Sequence, residues 1–233
     1  VVRALEKAAA SPAGQRRIPL TPLRKAVSAA LTRSRSEIPE ATVWVDVDAT
    51  ELWRLRENTR TPDDPGPGIL AYLAKFTVSA LRRHPVFNSR IDGDDIVEYD
   101  DINLGIATNT PRGLVVPSVS RAQALSLAAL DGEIRRVTRE GEGRGNGTFT
   151  LNNYGGFNVD GSAAIINHPQ VAILGFGRIL ERPWVVGGEI TVRRITQMSF
   201  VFDHRVCDGG EAAAFMREVA DAIENPLPAI VRF

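Results

Sequence analysis

From Met198 to Met216 the chain passes from a strand into a helix through a short charged turn, and this join limits the architectures open to it. Met198, Phe200 and Phe202 alternate with Ser199, Val201 and Asp203, the period of a strand. Downstream, Ala212, Phe215, Met216, Val219 and Ile223 recur at helical spacing. Between them, in Asp203-His204-Arg205-Val206-Cys207-Asp208-Gly209-Gly210, His204 precedes Asp208 by four residues and two glycines permit a sharp turn. An imidazole is thereby held at a strand end. With an unperturbed pKa of about 6.5, histidine is the side chain best suited to take and return a proton near neutral pH. The same pattern also serves plain structure, the histidine capping a strand or satisfying a buried carbonyl, and the spacing alone does not choose.

The rest of the chain supplies the elements such a join needs. Thr21-Pro22 is a helix cap and first position, and Leu23, Val27, Ala30 and Leu31 trace an apolar face that predicts a helix to about Arg35. Val43, Val45 and Val47 alternate with Trp44, Asp46 and Asp48 as a strand. A helix from about Thr50 to Asn58 follows, then a Pro/Gly loop over 62–68 and a long helix carrying Leu70, Leu73, Phe76 and Leu81. Asp92-Gly93 signals a hairpin. Strands are expected over 104–108, 114–119, 148–152, 171–176, 184–186, 190–192 and 196–202, with a Ser126-capped helix through Leu127, Leu130, Ile134 and Val137. The glycines at 141, 143, 145 and 147 fit neither phosphate-loop pattern and open a strand instead of a helix, so they read as a loop. Strands and helices alternate without a regular βαβ period, which argues for an α/β two-layer sandwich with a mixed sheet, not a doubly wound fold.

At 233 residues the chain fits one large domain better than two small ones. Its 28 basic residues balance its 28 acidic ones, leaving no net charge to attract nucleic acid or an anionic membrane. The single cysteine, Cys207, excludes an internal disulfide and suits a reducing cytoplasm. No apolar run reaches the ~20 residues of a membrane span, so a soluble protein with no membrane partner is expected. His84 and His168 each precede proline and read as turn residues; no Cys or His cluster at metal spacing accompanies them, and no metal is expected. There is no Gly-x-Ser-x-Gly elbow either.

The string DHRVCDGG, between its apolar strand and alanine-rich helix, resembles the active-site motif of the dihydrolipoamide acyltransferases. These are the core components of 2-oxo acid dehydrogenase complexes, with a fold like that of chloramphenicol acetyltransferase. Further segments match the same family in order from Ile18 to Pro226: Pro19 to Ala26, His84-Pro85-Val86-Phe87-Asn88, Asn103 to Ala107, Thr110 to Pro117, Gly147 to Asn153, and Ile165-Ile166-Asn167 ahead of Gln170 to Gly175. The resemblance implies a catalytic domain over 18–233, preceded over 1–17 by the linker remnant of a subunit-binding domain. The lipoyl group would sit on a domain absent from this chain, which has no Asp-Lys-Ala lipoylation motif.

The implied activity is transfer of an acyl group between dihydrolipoamide and coenzyme A, a substrate whose contacts the sequence does not identify. One thiol must lose its proton as it attacks the thioester, and the tetrahedral oxyanion must be stabilised. The resemblance makes His204 the general base. It makes Asp208 an organiser of the loop, paired with an arginine such as Arg24 or Arg33. Asn152 departs from the family, which places a serine or threonine hydroxyl there to donate to the oxyanion; an asparagine amide can also donate. A one-residue shift would give the place to Asn153. Cys207 reads as a packing residue, its nucleophilic reading disfavoured by direct thiol-to-thiol transfer in the family.

Arg178 to Val186 resembles members acting on branched-chain substrates, which favours a branched-chain acyl group over acetyl. The alternatives are an acetyl-specific core of a pyruvate dehydrogenase complex, a stand-alone chloramphenicol-type acetyltransferase and a non-catalytic scaffold. The resemblance further implies a homotrimer with its active site between chains, built into a cubic or icosahedral core. Decarboxylase and dihydrolipoamide dehydrogenase components would bind through N-terminal domains. Ile230, Val231 and Phe233, after the helix-stopping Asn225-Pro226, form an apolar tail expected to link trimers.

Overall fold

A computed structural model describes residues 14–110, 113–141 and 145–231. Most of the expected linker, part of the 109–113 turn, part of the glycine loop, and Phe233 therefore lie outside the described residues.

In chain order the elements are α1 (Pro22–Glu37), β1 (Glu40–Asp48), α2 (Thr50–Asn58), α3 (Ile69–Arg83), β2 (Ser89–Asp92), β3 (Asp95–Glu98), β4 (Leu104–Ile106), β5 (Thr108–Thr110), β6 (Gly113–Val115), β7 (Ser118–Val119), α4 (Leu127–Glu140), β8 (Phe149–Asn153), β9 (Ala172–Phe176), β10 (Leu180–Val186), β11 (Glu189–Asp203), α5 (Gly209–Glu224) and α6 (Pro226–Val231). The main sheet runs β1-β11-β9-β8-β4-β7, with β10 paired to the first half of β11. It is mixed: β8 is parallel to β9 and to β4, and the remaining pairs are antiparallel. This is the expected two-layer α/β architecture.

The helix-covered face carries the core. Period-2 alternation puts Val47, Met198, Phe200, Phe202, Leu174, Phe176 and Leu151 in one buried cluster with Phe76 of α3 and Phe215 of α5. Phe215 meets Phe200 at 4.8 Å and Phe87 at 5.1 Å between ring centroids. Burying such a ring contributes about 1.5–3 kcal/mol, and α5 is thereby fixed against β11 just past the turn that holds His204. The opposite face is covered more thinly, by Ile38 and Ile166 over Ile173 and Val201.

The helix caps follow the sequence: Thr21 Oγ1 accepts from Arg24 N at 3.2 Å and Ser126 Oγ from Ala129 N at 3.2 Å. Three expectations are corrected. The strands expected at 190–192 and 196–202 are one 15-residue strand, β11, because β10 pairs it as far as Ile195 and β1 takes over from there. The strands expected over 104–108 and 114–119 each divide. Pro117 brings no N–H to the ladder, and β5 and β6 form a hairpin outside the main sheet. The C-terminal tail, expected to follow the last helix as an apolar extension, is itself helical, and Ile230 packs half-buried against the core. Val231 and Leu227 stay exposed.

Candidate active site

β11 delivers His204 one residue past its end. Asp203, fully buried at 0 % exposure, closes the strand by donating its N–H to Val171 O at 2.8 Å. Its carboxylate accepts from Arg205 Nε at 2.9 Å, Arg205 Nη2 at 2.6 Å and Arg205 N at 3.0 Å. A guanidinium fork matches a carboxylate in plane and charge, which makes such a pair both strong and geometrically exacting. The pair folds the chain back at once, and Val206 N bonds Asp203 O at 3.1 Å. His204 is left on the outside of the bend. Its N–H bonds Pro39 O at 3.0 Å and its ring lies 5.5 Å from that of Phe202. Among the described residues the exposed imidazole has no hydrogen-bond partner, so its ring nitrogens are free for a reactant.

Beyond the bend Val206 and Cys207 turn inward and are buried. Burial, with Glu211, Asp208 and Asp203 nearby, pushes the Cys207 thiol up to about 11. A thiol so held stays protonated near neutrality and is a poor nucleophile, and Cys207 packs within the main core cluster. Asp208 occupies the N-cap position of α5 in extended conformation, and its side chain makes no cap bond. The residue thus sits at the positive end of the helix dipole, a position that favours a carboxylate. The expected arginine partner is corrected: among the described residues neither Arg24 nor Arg33 pairs with Asp208, and Arg33 binds Glu37 at 2.8 Å. The arginine–carboxylate pair that organises the loop is Asp203–Arg205. Sequence reasoning passed over it although the signal was present, a carboxylate on the buried face of a strand two residues before an arginine.

Beside this turn lies a cleft of about 670 Å³ lined by Arg33, Glu37, Arg90, His168, Asp203 and Arg205 among others. His168 Nε2 meets Glu37 at 3.0 Å, and His84 Nε2 meets Glu218 at 3.0 Å with its ring edge-on to Phe215. Both imidazoles are thus engaged by a carboxylate. No metal-holding group of His, Cys, Asp and Glu occurs among the described residues.

Asn152 stands on β8, half-buried, opposite Gly175 of β9. Its side chain has no hydrogen-bond partner among the described residues. The Asn153 oxygen is held in a turn, Oδ1 accepting from Gly155 N at 3.1 Å. That bond leaves the Asn153 NH2 group, like that of Asn152, without a partner among the described residues.

The chain does not bring His204 and Asn152 together. Asn152 is level with Gly175, and Gly175 with Ser199 of β11. His204 is five residues further along β11 and two strands away. At about 3.4 Å per residue and about 4.8 Å per strand, the two lie roughly 19 Å apart, towards opposite ends of the sheet.

This architecture occurs in chloramphenicol acetyltransferase, which superposes with a TM-score of 0.53 at 14% identity, over 84% of this chain and 94% of that one. The likeness is one of fold. The sequence narrows it: residues 12–231 match the family model of the 2-oxoacid dehydrogenases acyltransferase (catalytic domain), and the chain belongs to that family.

A probable dihydrolipoamide acetyltransferase from Listeria monocytogenes superposes with a TM-score of 0.84 at 33% identity, covering 91% of this chain and 96% of that one. The Azotobacter vinelandii dihydrolipoamide acetyltransferase, studied for a serine, a histidine and an asparagine in its mechanism, and the cubic core of a pyruvate dehydrogenase complex each give 0.83 at 27%, over 93% and 94%. Among curated relatives, the succinyltransferase component of an Arabidopsis thaliana 2-oxoglutarate dehydrogenase complex is 37% identical over 91% of this chain and 48% of its own length. The acetyltransferase component of the Acholeplasma laidlawii pyruvate dehydrogenase complex is 35% identical over 90% and 41%. The acyltransferase component of a Pseudomonas aeruginosa branched-chain complex is 34% identical over 90% and 52%. The chain spans about half the length of the curated relatives it matches.

Proposed function

We propose that this chain transfers an acyl group between dihydrolipoamide and coenzyme A as the core of a 2-oxo acid dehydrogenase complex. The observation that carries the reading is the free imidazole of His204, held out at a strand end by the Asp203–Arg205 fork in a member of an acyltransferase family. The imidazole takes the proton of the attacking thiol, whose sulfur bonds to the thioester carbonyl carbon. The Asn152 amide donates to the resulting oxyanion. Collapse breaks the old carbon–sulfur bond, and the departing thiolate recovers the proton from the imidazolium. Base catalysis of this kind contributes ~10²- to 10⁴-fold.

The spacing of the Azotobacter residues supports the assignment. Its serine precedes its histidine by 52 residues, as Asn152 precedes His204, and its asparagine follows by four, as Asp208 does. A separation of roughly 19 Å within one chain supports a site made from His204 of one copy and Asn152 of the next, with a homotrimer as the active unit. The cubic core among its structural neighbours favours assembly of those trimers into a larger shell, with partner enzymes bound through other domains.

For the acyl group we favour a branched chain. Arg205, Arg33 and Arg178 are each already paired, with Asp203, Glu37 and Asp160, so the distal carboxylate of a succinyl group would have to displace one. Acetyl remains the second reading, given its acetyltransferase relatives. An assay of acyl transfer from acetyl-, succinyl- and isobutyryl-coenzyme A to dihydrolipoamide tests both. The highest kcat/KM is expected with isobutyryl, and absence of transfer from all three overturns the function.

A further inference from the structure

The strand that carries Asn152 is followed by a strap whose anchoring is out of proportion to a surface loop. Tyr154 leaves β8 two residues after Asn152, with its N–H on Phe176 O at 3.0 Å. Its ring then lies across the sheet over Gly175. A Cβ on Gly175 would stand 2.7 Å from Tyr154 Cε1, 2.6 Å from the Tyr154 oxygen and 2.6 Å from Ser199 Oγ. Only a glycine leaves room for the ring.

The phenol is pinned at its far end, where its oxygen sits 2.5 Å from Ser199 Oγ and accepts Ser162 N–H at 3.1 Å. Tyr154 is 6 % exposed. The strap itself is clamped by Arg178, which donates through Nε to Asp160 Oδ1 at 2.5 Å, through Nη1 to Asn158 Oδ1 at 2.7 Å, and through its N–H to Val159 O at 3.0 Å.

Gly175 is the direct neighbour of Asn152 in the sheet. Side chains of such neighbours on one face stand about 5 Å apart, so the ring that covers Gly175 fills the place beside the Asn152 amide. Resting on the acyl-transfer reading, we propose that Tyr154 is a positioning residue for Asn152. Its phenol, fixed by Ser199 and Ser162, is the wall that holds the amide in its donating orientation. A donor that needs no reorganisation when charge develops is the efficient kind, and an asparagine, with a longer side chain than the family's serine, has one more torsion to fix.

The test is steady-state kinetics on the full chain with wild type, Tyr154→Phe, Ser199→Ala, Asn152→Ala and the double variant Asn152→Ala/Tyr154→Phe. Tyr154→Phe keeps the ring and loses its tether. We expect kcat to fall about 10-fold, the scale of a small misplacement at a reacting centre, with KM for coenzyme A and the thermal midpoint close to wild type. Ser199→Ala should do the same. The decisive comparison is the double variant: if Tyr154 acts through Asn152, its loss costs nothing further once the amide is gone. Full kcat in Tyr154→Phe and Ser199→Ala, or an equal fall in kcat with and without Asn152, overturns the proposal while leaving acyl transfer standing. An inactive wild type overturns acyl transfer and this proposal with it, whereas full activity in Asn152→Ala removes Asn152 from the mechanism, and this proposal with it, while leaving acyl transfer standing.

Discussion

Asn152 and His204 lie two strands apart and towards opposite ends of the same sheet, linked by the row Asn152–Gly175–Ser199 and by five further residues of β11. Sheet geometry sets that separation at roughly 19 Å, and the fold leaves no freedom to reduce it. Ser199 and His204 belong to one strand and its immediate turn, and the pairing of β8 with β9 is fixed by Leu151 and Leu174 in the core. If both residues serve one reaction, they serve it from different chains.

Mixing two impaired variants tests this directly. His204→Ala and Asn152→Ala should each be impaired by ~10²-fold or more alone and regain activity when co-refolded, because some interfaces then pair an intact histidine with an intact asparagine. In a closed ring assembled at random from an equal mixture, roughly a quarter of the sites are complete. Recovery near that fraction is expected, and no recovery from well-assembled mixtures refutes the shared site.

His204→Ala should lower kcat by ~10²- to 10⁴-fold with the fold unchanged, since the side chain is exposed and has no partner among the described residues to lose. Circular dichroism checks the second half. A well-folded variant with near-normal turnover removes His204 from the mechanism.

Cys207→Ala separates direct transfer from an acyl-enzyme route. The thiol is buried and pushed up to about 11, so the variant should keep most of its activity, and mass spectrometry should find no acylated protein during turnover. A stable Cys207 acyl adduct that forms and decays at the catalytic rate would reverse the assignment.

Asp48 gives a pH-dependent stability. Burial alone would raise its carboxyl, but hydrogen bonds from Thr50 and Arg193 outweigh it and hold it below the usual carboxylate range; the Arg193 Nε contact is 2.6 Å. A depressed folded pKa means that the contribution is complete above about pH 4 and is lost as the pH falls through the lower folded value. Asp48→Asn is expected to lower the thermal midpoint at pH 7 and to flatten its fall below pH 4. Parallel wild-type and variant curves down to pH 2 would show that the pair contributes nothing.

At the C-terminus, Ile230→Ala should cost about 1–2 kcal/mol, less than a fully buried site, because Ile230 is half-covered by its own core. Truncation after Pro228 should leave active trimers and abolish any larger assembly. Light scattering on both forms decides, an unchanged particle size being the contrary result.

The element order, the helix caps and the inward face of nearly every strand were legible in the sequence, because period and capping are local. Val43, Val45 and Val47 announced their side by alternation alone. So was the histidine turn, whose residues are contiguous. What local pattern could not determine were relations between distant segments. Nothing near residue 195 reveals that β10 and β1 hand over one long strand there, since strand length depends on which partners are present. Whether Ile230 folds back depended on the core surface offered by residues far upstream. That Gly155 N holds the Asn153 oxygen is also a feature of the folded turn after β8. The partner of Arg205 was two residues away, yet it took burial to make Asp203 the carboxylate that needs a cation. The distance between His204 and Asn152 is likewise a property of register, set by the order in which β11, β9 and β8 pair in the folded sheet.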